Sequence, residues 1–169
     1  MKFNIKRFAI NLSTLGIKIG YAVEETAGTR PEAGYTQLVG AKSTPSLNPS
    51  PETLETTTLE ETEYKTYIDG LKDLGGALEF TFNLTEDLIS QWDALMTAYE
   101  TGKASNKNTW FVIAIPGLTK AYYFPGNPSE MGLPETSVNA VLEITNYITP
   151  VGAPVVAKKP EDSWIPKAA

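Results

Sequence analysis

The sequence predicts a mainly β fold: a β-sandwich with one flanking α-helix, a long projecting hairpin loop and extended amino- and carboxy-terminal arms. Three observations carry this expectation. Several short segments alternate apolar and polar residues with the period of two that a half-buried strand requires. A single segment, following Thr85, repeats apolar residues at helical spacing. The prolines and glycines fall between these segments, so the chain is divided into many short elements.

Taken in order, residues 1–15 read as an irregular amino-terminal arm. Residues 16–24 set Ile17, Ile19, Tyr21 and Val23 against Lys18, Gly20, Ala22 and Glu24, the pattern of a strand. Gly28, Pro31 and Gly34 mark a loop, and Tyr35 to Lys42 reads as a second strand. In Ser43-Thr44-Pro45-Ser46-Leu47-Asn48-Pro49-Ser50-Pro51 three prolines remove ladder donors, so the segment is expected to project as a stiff loop. Threonine-rich residues 52–59 resume the β pattern, which makes 35–59 a hairpin with 43–51 as its tip. Tyr64 to Leu74 could hold a short helix.

After Gly75-Gly76, alternation is strict: Leu78, Phe80, Phe82 and Leu84 point one way, Glu79, Thr81 and Asn83 the other. Thr85 supplies an N-cap hydroxyl, Glu86 and Asp87 suit the positive end of a helix dipole, and Leu88, Trp92, Leu95, Met96 and Tyr99 form one face. Gly102 is expected just past the helix end. Trp110 to Ile115 is apolar on both faces, as in a strand between layers, and Pro116-Gly117 turns it back into Ala121 to Phe124. Pro125 to Pro128 should break the chain. The last strand, Thr136 to Tyr147, puts Val138, Ala140, Leu142 and Ile144 opposite Ser137, Asn139, Glu143 and Thr145, with Val141 an apolar exception on the polar side. From Thr149 onward prolines argue against regular structure, and residues 149–169 read as a carboxy-terminal arm. Trp164 and Ile165 near its end either dock on another molecule or fold back on their own domain.

A chain of 169 residues suits one domain, with residues 16–148 as its body, and can bury roughly 70% of its unfolded surface without staples. It has neither cysteine nor histidine, which removes disulfides, thiolate sites and every Ser-His-Asp, Cys-His or histidine-based zinc scheme. Lys2, Lys6 and Arg7 precede apolar residues at the amino end. Asn11 interrupts that run and no small-residue cleavage site follows, so the sequence reads as cytosolic and not secretory. On that reading the acceptor patterns at Asn11 and Asn83 stay unmodified. Between residues 52 and 87 stand Glu52, Glu55, Glu60, Glu61, Glu63, Asp69, Asp73, Glu79, Glu86 and Asp87 against Lys65 and Lys72, within a net charge of −6. That excess speaks against a phosphate-gripping groove. Glu60, Glu61 and Glu63 lack the spacing of a calcium loop and read as a solvated face.

This order of features resembles the tail tube (major tail) proteins of long-tailed bacteriophages. The resemblance lies in the basic arm, the strand pair with a long loop, the acidic link, the strand leading into one helix, and the final strand running into Ile148-Thr149-Pro150-Val151-Gly152-Ala153-Pro154. It implies a non-enzymatic virion protein without a cofactor or metal, forming six-membered rings that stack into a tube through which DNA passes without specific binding. It implies as partners other copies, the tape measure, the tail terminator and the distal tail protein, with assembly in the host cytoplasm and no membrane. Under it, Glu79, Thr81, Asn83, Ser137, Asn139 and Glu143 would line the bore. Ser43, Thr44, Pro45, Ser46, Leu47, Asn48 and Pro49, with Trp164 and Ile165, would touch neighbouring subunits or rings.

Two other classes remain open on sequence alone. Trp110, Tyr122 and Tyr123 could form the aromatic platform of a carbohydrate-binding β-sandwich. Paired carboxylates could serve a glycoside hydrolase that needs no histidine, although no pair is singled out.

Overall fold

The computed structural model describes residues 16–160. Its elements are β1 (Lys18–Val23), β2 (Thr36–Leu38), β3 (Ala41–Ser43), β4 (Ser50–Glu55), β5 (Tyr67–Asp73), β6 (Leu78–Asn83), α1 (Glu86–Ala104), β7 (Thr109–Ala114), β8 (Lys120–Pro128), β9 (Glu143–Pro150) and β10 (Val155–Lys158). The fold is mainly β with one helix, as the sequence predicts. Strands run in the order β2-β1-β7-β8-β9-β6-β3, all antiparallel, with β10 also on β8.

β8 lets this sheet curl over a core. Residues 122–125 of it pair with β7, whereas Gly126, Asn127 and Pro128 pair with Pro150, Thr149 and Ile148 of β9. The change of partner explains why Pro125 and Pro128 do not break the strand as expected: neither sits in the middle of one continuous ladder. Close approach also matters there, since a Cβ on Gly126 would stand 2.7 Å from the Ile148 Cγ2.

Phe80, Phe82, Ile144 and Ile148 from one wing, Ile19, Phe111, Ile113 and Phe124 from the other, and Leu88, Trp92 and Leu95 from α1 fill a single core. Each fully buried side chain of this size stabilises by roughly 1.5–3 kcal/mol relative to exposure. Phe111 stacks on Phe124 at 5.4 Å, and Trp92 meets Phe82 edge-on at 6.0 Å while its Nε1–H donates to the Ser129 carbonyl at 3.0 Å. Thr85 caps α1 as expected, its Oγ1 accepting from the Leu88 N–H at 3.2 Å. The apolar run of β7 buries both faces: Phe111 and Ile113 enter the main core, Val112 and Ala114 a smaller cluster with Ala22, Tyr35, Ala121 and Tyr123.

Further expectations are corrected. Residues 35–42 are not one strand; Gly40, at φ 77°, turns the chain between β2, which pairs with β1, and β3, which pairs with β6. The hairpin is not 35–59 with its tip at 43–51: β4 pairs with β5, so the tip is residues 56–66, and the 44–49 segment lies back with Leu47 packed against the core. Tyr64 to Leu74 is no helix, because residues 67–73 form β5. The last strand starts at Glu143, where pairing with Asn83 begins; residues 136–142 form no strand. Regular structure also continues past Thr149, since β9 reaches Pro150 and β10 pairs with β8.

Gly102 lies inside α1 and not beyond it, and its missing side chain admits Val23, whose Cγ1 would stand 2.7 Å from a Cβ there. The helix instead stops before Asn106, which adopts φ 58°.

Candidate assembly surfaces

The outer face of β6 and β9 is built by the same alternation that fills the core. With Phe80, Phe82, Ile144 and Ile148 turned inward, Glu79, Thr81, Asn83, Glu143, Thr145 and Tyr147 turn outward. Cross-strand register sets Glu79 opposite Tyr147, Thr81 opposite Thr145 and Asn83 opposite Glu143. The Thr81 and Thr145 hydroxyl oxygens are 3.3 Å apart, and Lys42 from β3 donates to Glu143. That ion pair is largely exposed and is worth at most about 1 kcal/mol. Four of the six expected bore residues, Glu79, Thr81, Asn83 and Glu143, therefore share one polar surface. Ser137 and Asn139 do not join it: both are exposed in the segment before β9, where Asn139 has φ 60°. Thr145 and Tyr147 complete the face, and their parity with Glu143 was the signal that could identify them.

The β4–β5 hairpin is a second surface. Leu54 pairs with Ile68 and Glu55 with Tyr67, and among the described elements the two strands pack extensively only on each other. Leu54 is 51%, Ile68 54% and Leu71 84% exposed. Lys65 donates to Glu55 at 3.0 Å, so one of the two lysines in the hairpin is engaged locally. The expected contact residues Ser43 to Pro49 precede its first strand, and Thr44 to Asn48 of them line a cleft of about 390 Å³ with Ile113, Ile115 and Tyr122. Trp164 and Ile165 lie outside the described residues.

A third region holds a buried carboxylate. Glu24, 2% exposed, accepts from the Gly28 and Asn108 backbone N–H groups at 2.8 and 3.0 Å, from Asn108 Nδ2 at 3.2 Å and from Trp110 Nε1 at 2.8 Å. Burial pushes this carboxyl up, but the four donors outweigh it and hold Glu24 below its usual range. The loop after Glu24 lies over the smaller cluster, with Arg30 4.4 Å from the Tyr123 ring centroid.

The aromatic platform is not formed. Tyr123 is fully buried beside Tyr35, Trp110 is held by Glu24, and neighbouring Tyr122 faces the other side of β8, against the main core. Among the described residues no three acidic side chains converge as a metal site, and no helix is long and apolar enough to cross a membrane.

No family model matches the chain, and no curated protein matches it. A solved structure does: a chain from the cryo-EM structure of the anti-feeding prophage (AFP) baseplate, 6-fold symmetrised, is similar with a TM-score of 0.55 over 91% of this chain and 98% of that one, at 12% identity. The likeness is one of fold.

Proposed function

We propose that the protein is a structural tail protein of a long-tailed phage, whose copies form six-membered rings stacked into a tube that conducts DNA during ejection. The observation that carries this reading is the β4–β5 hairpin, which exposes Leu54, Ile68 and Leu71 while packing on little else among the described residues. An isolated two-stranded ribbon is marginal in water, so such a hairpin gains its stability from neighbouring molecules. Similarity to a chain from a sixfold assembly supports copies of this chain as those neighbours. The outer edges of β2 and β3, which carry no further strand among the described residues, support it as well, because joining wings around a ring removes edges that would otherwise aggregate.

In this reading the polar face with Glu79, Thr81, Asn83 and Glu143 lines the bore. Its Lys42 ammonium is taken up by Glu143, leaving little to grip phosphate, so DNA slides without deep binding minima. Residues 43–49, Trp164 and Ile165 make contacts between subunits or rings. The tape measure, tail terminator and distal tail proteins are the other partners, the site of action is the virion tail after assembly in the host cytoplasm, and the role is structural and not catalytic.

Electron microscopy of the purified protein tests the proposal: rings with sixfold end views, stacking into tubes, are expected. A protein that stays monomeric as concentration rises would overturn it. A variant with residues 52–71 replaced by a glycine linker should keep the melting temperature of the body and form no tubes.

A further inference from the structure

Charge and apolarity are segregated between two parts of this molecule. On the hairpin, Leu54 stands directly opposite Ile68, and Glu52 lies two residues earlier on the same face of β4. Between residues 50 and 73 the only cations are Lys65 and Lys72, outnumbered by glutamates and aspartates. The cleft bordered by residues 44–48 has the opposite character. Ile113, Tyr122 and Val156 are register partners across β7, β8 and β10 and form an apolar row, with Val156 52% exposed. The next row along the same face sets Lys120 opposite Lys158. No acidic residue occurs from 109 to 129 or from 144 to 160, so among the described residues the charged side chains that β7, β8, β10 and the residue after β10 contribute are Lys120, Lys158 and Lys159.

We infer that the β4–β5 hairpin of one subunit lies in this cleft of a second copy, with Leu54 and Ile68 against Ile115, Tyr122 and Val156 and Glu52 beside Lys120. The inference rests on the self-assembly proposed above and names the surface that receives the hairpin. An apolar row flanked by carboxylate meets an apolar row flanked by ammonium, so both burial and charge favour the same register. Charge complementarity of this kind selects the correct partner surface and speeds encounter. Acidic hairpins repel one another, which disfavours hairpin-to-hairpin pairing.

The chain has no cysteine, which makes the test clean. Leu54→Cys and Val156→Cys are made as separate variants at positions already half exposed, mixed, assembled and oxidised. A disulfide-linked dimer in the mixture, about tenfold above either variant alone, is the expected result. In a second arm, Glu52→Lys and Lys120→Glu should each raise the concentration needed for assembly about tenfold, and combining both in one chain should return it to within about threefold of the unmodified protein. Tubes that form without the cross-link, or a double reversal no better than the single ones, overturn this docking and leave the tube reading standing. Failure of the unmodified protein to self-associate overturns both.

Discussion

β6 and the β4–β5 hairpin are both short strands with apolar residues, yet they live in opposite environments. Phe80 in β6 is fully buried, sandwiched against Phe124 at 6.2 Å, while Ile68 in β5 is 54% exposed. In β6, alternation commits one face to the core and one to water, so a slip of one residue would expose three large side chains at once. Among the described residues no buried face of the hairpin enforces its register in that way. Within the described residues its order comes from cross-strand pairs. Burial is concentrated in the curled body, and the proposed partner contacts lie in the part that the body covers least.

Trp92→Ala is the substitution most able to break this contrast. It removes the side chain that joins α1 to Phe82 and to the Ser129 carbonyl, and should cost about 3–5 kcal/mol. Thermal or denaturant unfolding reads the effect. An unchanged melting temperature would mean that the helix face contributes no more than the hairpin does.

Glu24 sharpens the comparison by adding pH. Its folded pKa lies below the ordinary carboxylate value, so its contribution is complete above about pH 4.3 and disappears as pH falls through the lower folded value. Glu24→Gln leaves a single oxygen where two accept four N–H groups, and an NH₂ facing donors. The expected cost is about 3 kcal/mol at neutral pH, with loss of part of the acid sensitivity. Identical stability-versus-pH curves for the two proteins would exclude this role.

The parts legible in the sequence were those whose local signal agreed with their packing. Thr85, Leu88, Trp92 and Leu95 announce the helix start and its buried face, and β6 and β7 read correctly because one and two buried faces leave different patterns. The hairpin was misread for a physical reason. Between Pro51–Lys72 and Thr53–Asp69 the register shifts, and the extra residue near Gly70 puts Ile68 and Leu71 three apart, which imitates a helix. A Cβ on Gly70 would stand 3.0 Å from the Glu52 Cβ, so glycine marks the bulge. Gly40 and Gly102 were equally ambiguous: which one turns the chain and which one admits a neighbour depends on residues distant in sequence, Asn83 and Val23. Of the polar face, strand parity revealed Glu79, Thr81, Asn83 and Glu143. It could not reveal that pairing stops short of Ser137 and Asn139, because a strand begins where its partner does.

The smallest effect expected is the one that best separates the two regions. Ile68→Ala removes as many carbons as many core substitutions, but from a side chain already half in water and without a cavity to leave behind. In the dissociated protein it should change stability by less than about 0.5 kcal/mol, the range of ordinary surface changes. In the proposed assembly the same residue is buried, and disassembly by dilution or denaturant should then occur at a measurably lower threshold. Paired measurements on free and assembled protein therefore assign the energetic role of the hairpin. A loss of several kcal/mol in the free chain would place Ile68 in an intramolecular core, and equal behaviour in both states would mean that nothing covers it.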